Sequence, residues 1–203
     1  MQNKLYRFVF IIALFMFGCH TAPKKQLCPP NIPIGKFRPS DIVFRLGRTI
    51  ESDLIASSGQ DFAHYSHVGV IIDHNDTLKV IHIEPSPNKY DDVIKEETLH
   101  DFFSCDKSLA GCITRFTNIS TEQRNTIQNK ALQLLSSSIT FDHNYLISDS
   151  STMYCTELIE HIFNAANISL SQGRAHTLPF TKEPIIMPSD IAQNPALATI
   201  WSY

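Results

Sequence analysis

Two apolar segments joined by a short polar turn constrain the fold of this 203-residue chain more than any other feature. Residues 66–73 are a β-branched apolar run with the composition of a buried strand. Residues 78–84 follow with the alternation of a strand that has two different faces. The four residues between them, His-Asn-Asp-Thr, are typical of a tight turn. The sequence therefore predicts an antiparallel β-hairpin.

The predicted hairpin brings a histidine and a carboxylate together. A two-residue turn at the centre of the connection places His67 directly opposite Glu84, with His82 facing Gly69. Directly opposed residues have Cβ atoms about 4.5–5.5 Å apart and point to the same side of the sheet. A slip of one residue would destroy this pairing. We therefore expect His67 and Glu84 to meet at the open end of the hairpin. The plainer alternative is that both side chains meet water at the strand ends.

A cysteine stands at the predicted start of an amphipathic helix. Polar Ser151 and Thr152 precede it, where a helix start needs side-chain oxygens for its free N–H groups. A thiol in the first turn feels the positive end of the helix dipole, which favours the thiolate. Cys155 also lies on the apolar stripe, so a buried and inert thiol is the alternative. The stripe continues at helical spacing through Leu158, Ile159, Ile162, Phe163 and Ala166.

These residues together suggest nucleophilic thiol chemistry. Such chemistry requires a thiol, a base within hydrogen-bond reach, and a third group that orients the base. Cys155, His67 and Glu84 are the candidates for these roles, and the backbone N–H of Cys155 is a candidate oxyanion donor. Metal binding is the rival chemistry, because four histidines (His64, His67, His74 and His82) cluster near the hairpin. No Cys-x-x-Cys or His-Glu-x-x-His pattern accompanies them, so we predict no metal and no cofactor.

The N-terminal residues predict export. Residues 1–19 combine a short basic region, an apolar run from 8 to 17 and a final Gly-Cys, which is typical of a signal peptide. The ending resembles the lipobox of bacterial lipoproteins, in which Cys19 is acylated. About twenty apolar residues are needed to span a bilayer, so this run is too short. Residues 20–33 are a proline-rich tether, and residues 34–203 are the folded domain. We expect a lipid-anchored protein of the bacterial cell envelope, on the periplasmic or outer-membrane side.

The remaining segments predict an α+β domain, because strands and helices do not alternate regularly. Strands are expected at 41–45 and 111–117, helices at 49–58 and 97–105 and after Ser120, and an extended tail at 185–191. Ser120 with Gln123 forms a capping box. Cys105 and Cys112 flank a polar loop and are candidates for a disulfide, with Cys28 as a rival partner. The net charge of -3 argues against a nucleic-acid partner.

The order of these motifs resembles the YiiX-like permuted papain-fold cysteine hydrolases of the NlpC-type superfamily. Asp41-Ile42-Val43-Phe44 comes first, then Ser66-His67-Val68-Gly69-Val70, a strand ending in Glu84, and finally Tyr154-Cys155-Thr156-Glu157-Leu158-Ile159. The resemblance covers residues 34–192. It implies a circularly permuted papain-like fold, with a small antiparallel sheet packed against helices. Ser40 departs from the family, which commonly has Gly before the Asp.

The same resemblance implies roles and substrates. Cys155 is the nucleophile, His67 the base and Glu84 its orienting partner, while Tyr154 and Asp41 line the site. The implied reaction is hydrolysis of an amide bond, for example in a cell-wall peptide, or of an ester, through a thioester acyl-enzyme. The expected partner is therefore a peptide or an acyl-containing small substrate. A thiol acyltransferase and a non-catalytic envelope binding lipoprotein are the alternatives, and the oligomeric state is left open.

Overall fold

A computed structural model describes residues 31–58, 64–86, 88, 91–149, 151–178 and 181–203. Within them a 3-10 turn at Ile34–Lys36 precedes the first strand. The strands are β1 (Ile42–Leu46), β2 (His67–Asp73), β3 (Leu78–His82), β4 (Lys95–Thr98), β5 (Ala110–Phe116), β6 (Thr140–Phe141), β7 (Thr152–Met153) and β8 (Leu197–Ser202). The helices are α1 (Ile50–Ser58), α2 (Leu99–Phe102), α3 (Thr121–Leu135), α4 (Cys155–Asn164) and α5 (Pro188–Ala192).

Six strands form one antiparallel sheet in the order β4-β3-β2-β1-β5-β8, and β6 and β7 form a small parallel pair. The predicted hairpin is confirmed with its register, because Val70 pairs with Ile81 and Ile71 with Val80. In the described chain the ladder between β2 and β3 ends at Val70 and Ile81. The first residues of β2 remain paired with β1, where His67 lies opposite Arg45. The hairpin is therefore open at the end that carries His67.

The sheet buries both faces, as its apolar strands require. One face packs against α3 and α4, which cross it as amphipathic helices. The other face is covered by α2 and by aromatic residues of the last strand. The first face is lined by Ile42, Phe44, Val68, Val70 and Ile81, and the second by Val43, Ile71, Val80 and Ile113. Helix α3 begins with the predicted capping box of Ser120 and Gln123.

Two predicted segments differ in the structure, and one strand was not predicted. Residues 97–105 are not one helix, because Lys95–Thr98 adds strand β4 to the open edge of β3. Thr98 then caps α2 by accepting the Asp101 N–H at 3.1 Å. The tail is extended only as far as Met187, with Ile185 bridging to His176, and α5 then begins with proline at its first position. Strand β8, which closes the far edge of the sheet, was not predicted.

The predicted Cys105–Cys112 disulfide is wrong. Cys112 is a free, buried thiol in β5. It contributes to the core on the face of α3 and α4, whereas α2 and its loop cover the opposite face. Burial raises the pKa of Cys112 to about 11. Cys105 is itself disulfide-bonded.

The predicted signal peptide, the lipid attachment at Cys19 and most of the tether lie outside the described residues, which begin at residue 31. Ile32, which was assigned to the tether, is buried in the same core cluster as Phe37, the residue that follows the 3-10 turn. Among the described helices, none has the length and apolar content needed to cross a membrane.

Candidate active site

Cys155 is the first residue of α4. Tyr154 holds the N-cap position without a side-chain cap, so the predicted capping by Ser151 and Thr152 is not made. The Glu157 carboxylate instead accepts the Tyr154 N–H at 3.4 Å. Packing fixes the helix start, because Tyr154 and Thr156 are both buried and both bond to the backbone of residue 186. The helix therefore presents the thiol from a rigid position.

The thiol of Cys155 is surrounded by backbone donors. Burial raises its pKa to about 11, although the N–H groups of Val68 and Thr156 and the charge of Arg45 oppose this rise. Val68 directly follows His67 on β2, at the open end of the hairpin. The thiol therefore lies beside the strand residue that carries the candidate base, and it is protonated at rest.

His67 occupies the first position of β2 and is buried. Its Nε2 is 2.9 Å from Nδ1 of His82, and its ring stacks on Phe102 with centroids 5.7 Å apart. Burial and the nearby charge of Arg45 lower the pKa of His67 well below its usual value. His67 is therefore neutral at physiological pH. No hydrogen bond joins its ring to the Cys155 thiol within the described part of the chain.

Glu84 does not make the expected contact with His67. Its carboxylate forms an ion pair with Arg45, and the Lys95 ammonium lies 3.9 Å away. Arg45 stands opposite His67 in the sheet and reaches across to Glu84 because a guanidinium offers a charged partner. The prediction that Glu84 orients the His67 ring is therefore corrected. The side chain that contacts this ring is His82.

His82 continues the chain of polar groups away from the thiol. It is fully buried, and its Nε2 lies 3.5 Å from Oε2 of Glu97. Both of these atoms are buried, and neither has a partner in hydrogen-bond geometry among the described residues, so each is the polar atom that the other faces. The Lys107 ammonium donates to Oε1 of Glu97 at 2.7 Å. Burial raises the pKa of Glu97, but His82 and Lys107 outweigh it and lower the value to about 2.

A cavity of about 580 Å³ lies next to the thiol of Cys155 and the ring of His67. Cys155, His67 and Glu84 all line it, and so does Tyr154, as the sequence predicts. Asp41 does not line it. That carboxylate is fully buried near the opposite end of the sheet, where it pairs with Arg115 at 2.7 Å and accepts the Arg38 N–H. The cavity wall is completed by apolar residues that include Ile55, Phe141, Ile185 and Met187.

His82, Arg45 and Glu97 were not among the residues predicted for the site. His82 carried a usable signal, because it lies two residues from Glu84 on the same strand face, and diagonal neighbours remain within reach of long side chains. Arg45 and Glu97 carried no such signal. Glu97 reaches His82 only because β4 pairs with β3, which the sequence reasoning did not predict.

Three of these residues could be considered as metal ligands. His67, His82 and Glu84 each place one donor atom within 4.8 Å of the others. Imidazole nitrogen and carboxylate oxygen are common zinc ligands. Two of the donors, however, already bond to each other at 2.9 Å, and Glu84 is neutralised by Arg45. Because Arg45 already neutralises the one carboxylate of the set, the cluster has no net negative charge to attract a cation. The donor set does not fit a resident metal.

Comparison with known proteins agrees with the fold and with the class of enzyme. The crystal structure of the metalloprotein YiiX from Escherichia coli O157:H7 is similar over 83% of this chain and 98% of that chain, with a TM-score of 0.68 and 18% sequence identity. No curated protein matches the chain. A family model described as a permuted papain-like amidase matches residues 36–201, from the first 3-10 turn to the last strand. The chain is therefore a papain-like cysteine hydrolase of circularly permuted fold, and it belongs to the permuted papain-like amidase family YaeF/YiiX, C92.

Proposed function

We propose that this enzyme cleaves an amide bond by attack of Cys155 on the substrate carbonyl, with His67 as the general base. The observation that carries the proposal is the placement of the thiol beside the backbone N–H of Val68, in the cavity that His67 also lines. A thiol at a helix start with a neutral imidazole in the same cavity is the arrangement that nucleophilic catalysis needs. Because the thiol is protonated at rest, the base removes its proton during the attack.

The polar chain behind His67 supports its role as a base. Glu97 is ionised and can only accept, so Nε2 of His82 carries the proton that faces it. Nδ1 of His82 is then an acceptor, and it accepts a hydrogen bond from the N–H at Nε2 of His67. This assignment leaves Nδ1 of His67 unprotonated. His82 and Glu97 are thus positioning residues that select the basic tautomer.

The proposed reaction has two steps. The Cys155 sulfur bonds to the carbonyl carbon, its proton passes to Nδ1 of His67, and the C–N bond breaks as that proton moves to the leaving amine. Water then attacks the thioester, gives a proton to His67 and releases a carboxylic acid. The proton returns to sulfur. The backbone N–H of Cys155 at the helix start stabilises the oxyanion in both steps.

The substrate is proposed as a peptide amide, including the peptides of a bacterial cell wall. An ester could be cleaved by the same steps, and an acyltransferase would differ only in passing the acyl group to an acceptor other than water. A non-catalytic binding role is disfavoured by the amidase family to which the chain belongs. The similar YiiX structure is that of a metalloprotein. We propose no metal-dependent step here, because Arg45 already neutralises Glu84, the one carboxylate of the possible donor set.

The proposed location is the bacterial cell envelope, with attachment to the membrane through a lipid on Cys19. This rests on the basic and apolar pattern of residues 1–19. Metabolic labelling with a fatty-acid analogue tests it. Label in the full chain and none in Cys19→Ala is the expected result, and unlabelled full chain would contradict it.

Labelling with iodoacetamide tests the nucleophile. Cys155 should react, the reaction should disappear in Cys155→Ala, and His67→Ala should slow it. Cys112→Ala is the matched control, because it removes the other described free thiol and should leave labelling unchanged. Absence of labelling at Cys155 at every pH would refute the proposal. Products released from cell-wall peptides by the wild type and not by Cys155→Ala, read by mass, would identify the bond cleaved.

A further inference from the structure

The cavity contains a cationic side chain that the proposed mechanism does not use. Three permanently charged cations line its wall: Arg45, Arg48 and Lys107. Arg45 is bound by Glu84 and by the Phe102 carbonyl. Lys107 is bound by Glu97. Arg48 has no hydrogen bond or ion pair to any described residue, so its charge is available.

The guanidinium of Arg48 is in an unfavourable environment without a ligand. Its Nε and Nη2 atoms are shielded from solvent and have no acceptor. A shielded donor without a partner costs about 1–3 kcal/mol, and more when the group is charged. An anion bound in the cavity would give this unpaired guanidinium a counter-charge, through the remaining Nη1 or after the side chain turns to present its shielded nitrogens. A guanidinium binds carboxylate or phosphate oxygens in a two-pronged geometry.

The backbone of Arg48 is held close to the reacting groups. The preceding Gly47 donates its N–H to the Ser66 hydroxyl at 2.8 Å, and Ser66 directly precedes His67. A side chain on Gly47 would lie 2.2 Å from the Ser52 hydroxyl, so the turn between β1 and α1 is closely packed. Arg48 is therefore fixed on the same wall as the base.

Two carboxylates of the same wall could compete for Arg48. Glu51 and Asp106 line the cavity, but within the described part of the chain neither is a hydrogen-bond partner of the shielded Arg48 nitrogens. A hydrogen bond from Ser104 holds the pKa of Asp106 below its usual value, and the charges of Lys107 and Arg48 add to this at longer range. A hydrogen bond from its own backbone lowers the pKa of Glu51. Both are exposed and already hydrogen-bonded, so they do not replace a ligand.

We infer that Arg48 binds an anionic group of the substrate, a carboxylate or a phosphate, while Cys155 attacks the acyl carbon. The inference rests on the proposed function and specifies its substrate class: an amide or ester that carries a negative charge close to the scissile bond.

Two alkylating reagents of nearly equal size test the charge preference. Iodoacetate is anionic and iodoacetamide is neutral, so the ratio of their rates at Cys155 measures attraction of an anion. We expect Arg48→Gln to lower this ratio about tenfold, the effect of one charged hydrogen-bonded contact. Lys130→Gln on α3 removes an equal charge outside the cavity and should not change it. Asp106→Asn should leave the ratio of the two rates unchanged or raise it.

The outcomes separate the two proposals. If iodoacetamide labels Cys155 but the ratio is the same in Arg48→Gln, the anion site is refuted while the nucleophile stands. If iodoacetamide does not label Cys155, the proposed function itself fails. If Arg48→Gln does not fold, the wild type provides the test. At constant ionic strength, acetate or inorganic phosphate is added before iodoacetamide. Protection of Cys155 from labelling by acetate indicates a carboxylate ligand, and protection by phosphate indicates a phosphate ligand. Protection by neither refutes the inference.

Discussion

At the scale of single residues, His82 is the group that contacts the ring of His67, the proposed base. It is fully buried between His67 and Glu97, and both of its ring nitrogens face a polar partner. A buried imidazole without such partners would be strongly destabilising. The contacts with His67 and Glu97 lower the cost of burying the His82 ring, and they also fix its tautomer. The stability of the fold and the orientation of the His67 ring therefore depend on the same contacts.

Glu97→Gln tests the orienting role of the buried carboxylate. Gln retains an acceptor but not the charge, so we expect labelling of Cys155 to slow roughly three- to tenfold. The carboxylate raises the pKa of His82. Its loss should therefore move the acid limb of the labelling profile to lower pH.

The matched control is Glu96→Gln, which removes the neighbouring carboxylate that faces His74 at 2.5 Å. Rates measured from pH 4 to 9 should be the same as those of the wild type. If Glu97→Gln also behaves like the wild type in rate and pH profile, Glu97 has no orienting role.

Ser40 is a strained residue. Its φ is 76°, in the left-handed region that favours glycine, and its buried hydroxyl has no partner. Ser40→Gly should raise the free energy of unfolding by about 1 kcal/mol. Ser40→Ala retains the strain and loses only the hydroxyl, so it separates the two contributions. Denaturant unfolding measures both, and a destabilised Ser40→Gly would contradict the prediction.

At the scale of elements, the hairpin and α4 build the site together. The hairpin separates beyond Val70 and Ile81, which frees the Val68 N–H on its β3 side for the Cys155 thiol. Helix α4 packs against β2 and brings the thiol to that point. If the ladder between β2 and β3 continued to this point, the Val68 N–H would bond to β3 and would not be available to the thiol.

Gly69→Ala tests the close packing of the hairpin. An added Cβ would lie 2.7 Å from a Val80 methyl, 3.0 Å from the Ile81 carbonyl oxygen and 3.2 Å from a Val43 methyl. Because a backbone atom cannot easily move, we expect a loss of about 1–3 kcal/mol in unfolding free energy. Gly35→Ala is the control, since nothing lies within 4 Å of its added Cβ. Equal stability of the two variants would contradict the prediction.

At the scale of the whole molecule, buried ionisable groups make stability depend on pH. Burial lowers the pKa of His67 and of His82, so below about 6.5, the usual histidine value, the unfolded chain binds protons that the folded chain does not. Burial raises the pKa of Glu157 to about 7, so this carboxyl binds its proton first in the fold and acts in the opposite direction. Two histidines outweigh one partly exposed carboxyl.

We therefore expect the unfolding temperature to fall as the pH is lowered from 7.5 to 5.5. Each histidine contributes at most about 1.4 kcal/mol per pH unit in this range. His82→Gln should reduce the slope, while a Gln at the exposed His100 should not change it. Calorimetry at several pH values measures this, and a flat or rising stability on acidification would contradict it.

Local pattern was sufficient for most of the elements. The β-branched run and its turn set the β2–β3 register, and the apolar spacing after Cys155 set α4. Strands β4 and β8 were missed because an edge strand is defined by the unpaired edge that it covers, and this edge is not visible in its own residues. The disulfide prediction failed for a similar reason, because closeness in sequence does not say which face of a sheet a cysteine occupies.

The sequence by itself determined the pair that the site is built on, His67 and Cys155, because a strand start and a helix start are local signals. Only the tertiary structure decided what surrounds them. Arg45 pairs with Glu84, the carboxylate that the strand register places opposite His67. Strand β4 contributes Glu97, which faces His82. Register fixes which backbones oppose each other, but side chains bond to the strongest partner within reach, and that partner comes from another strand.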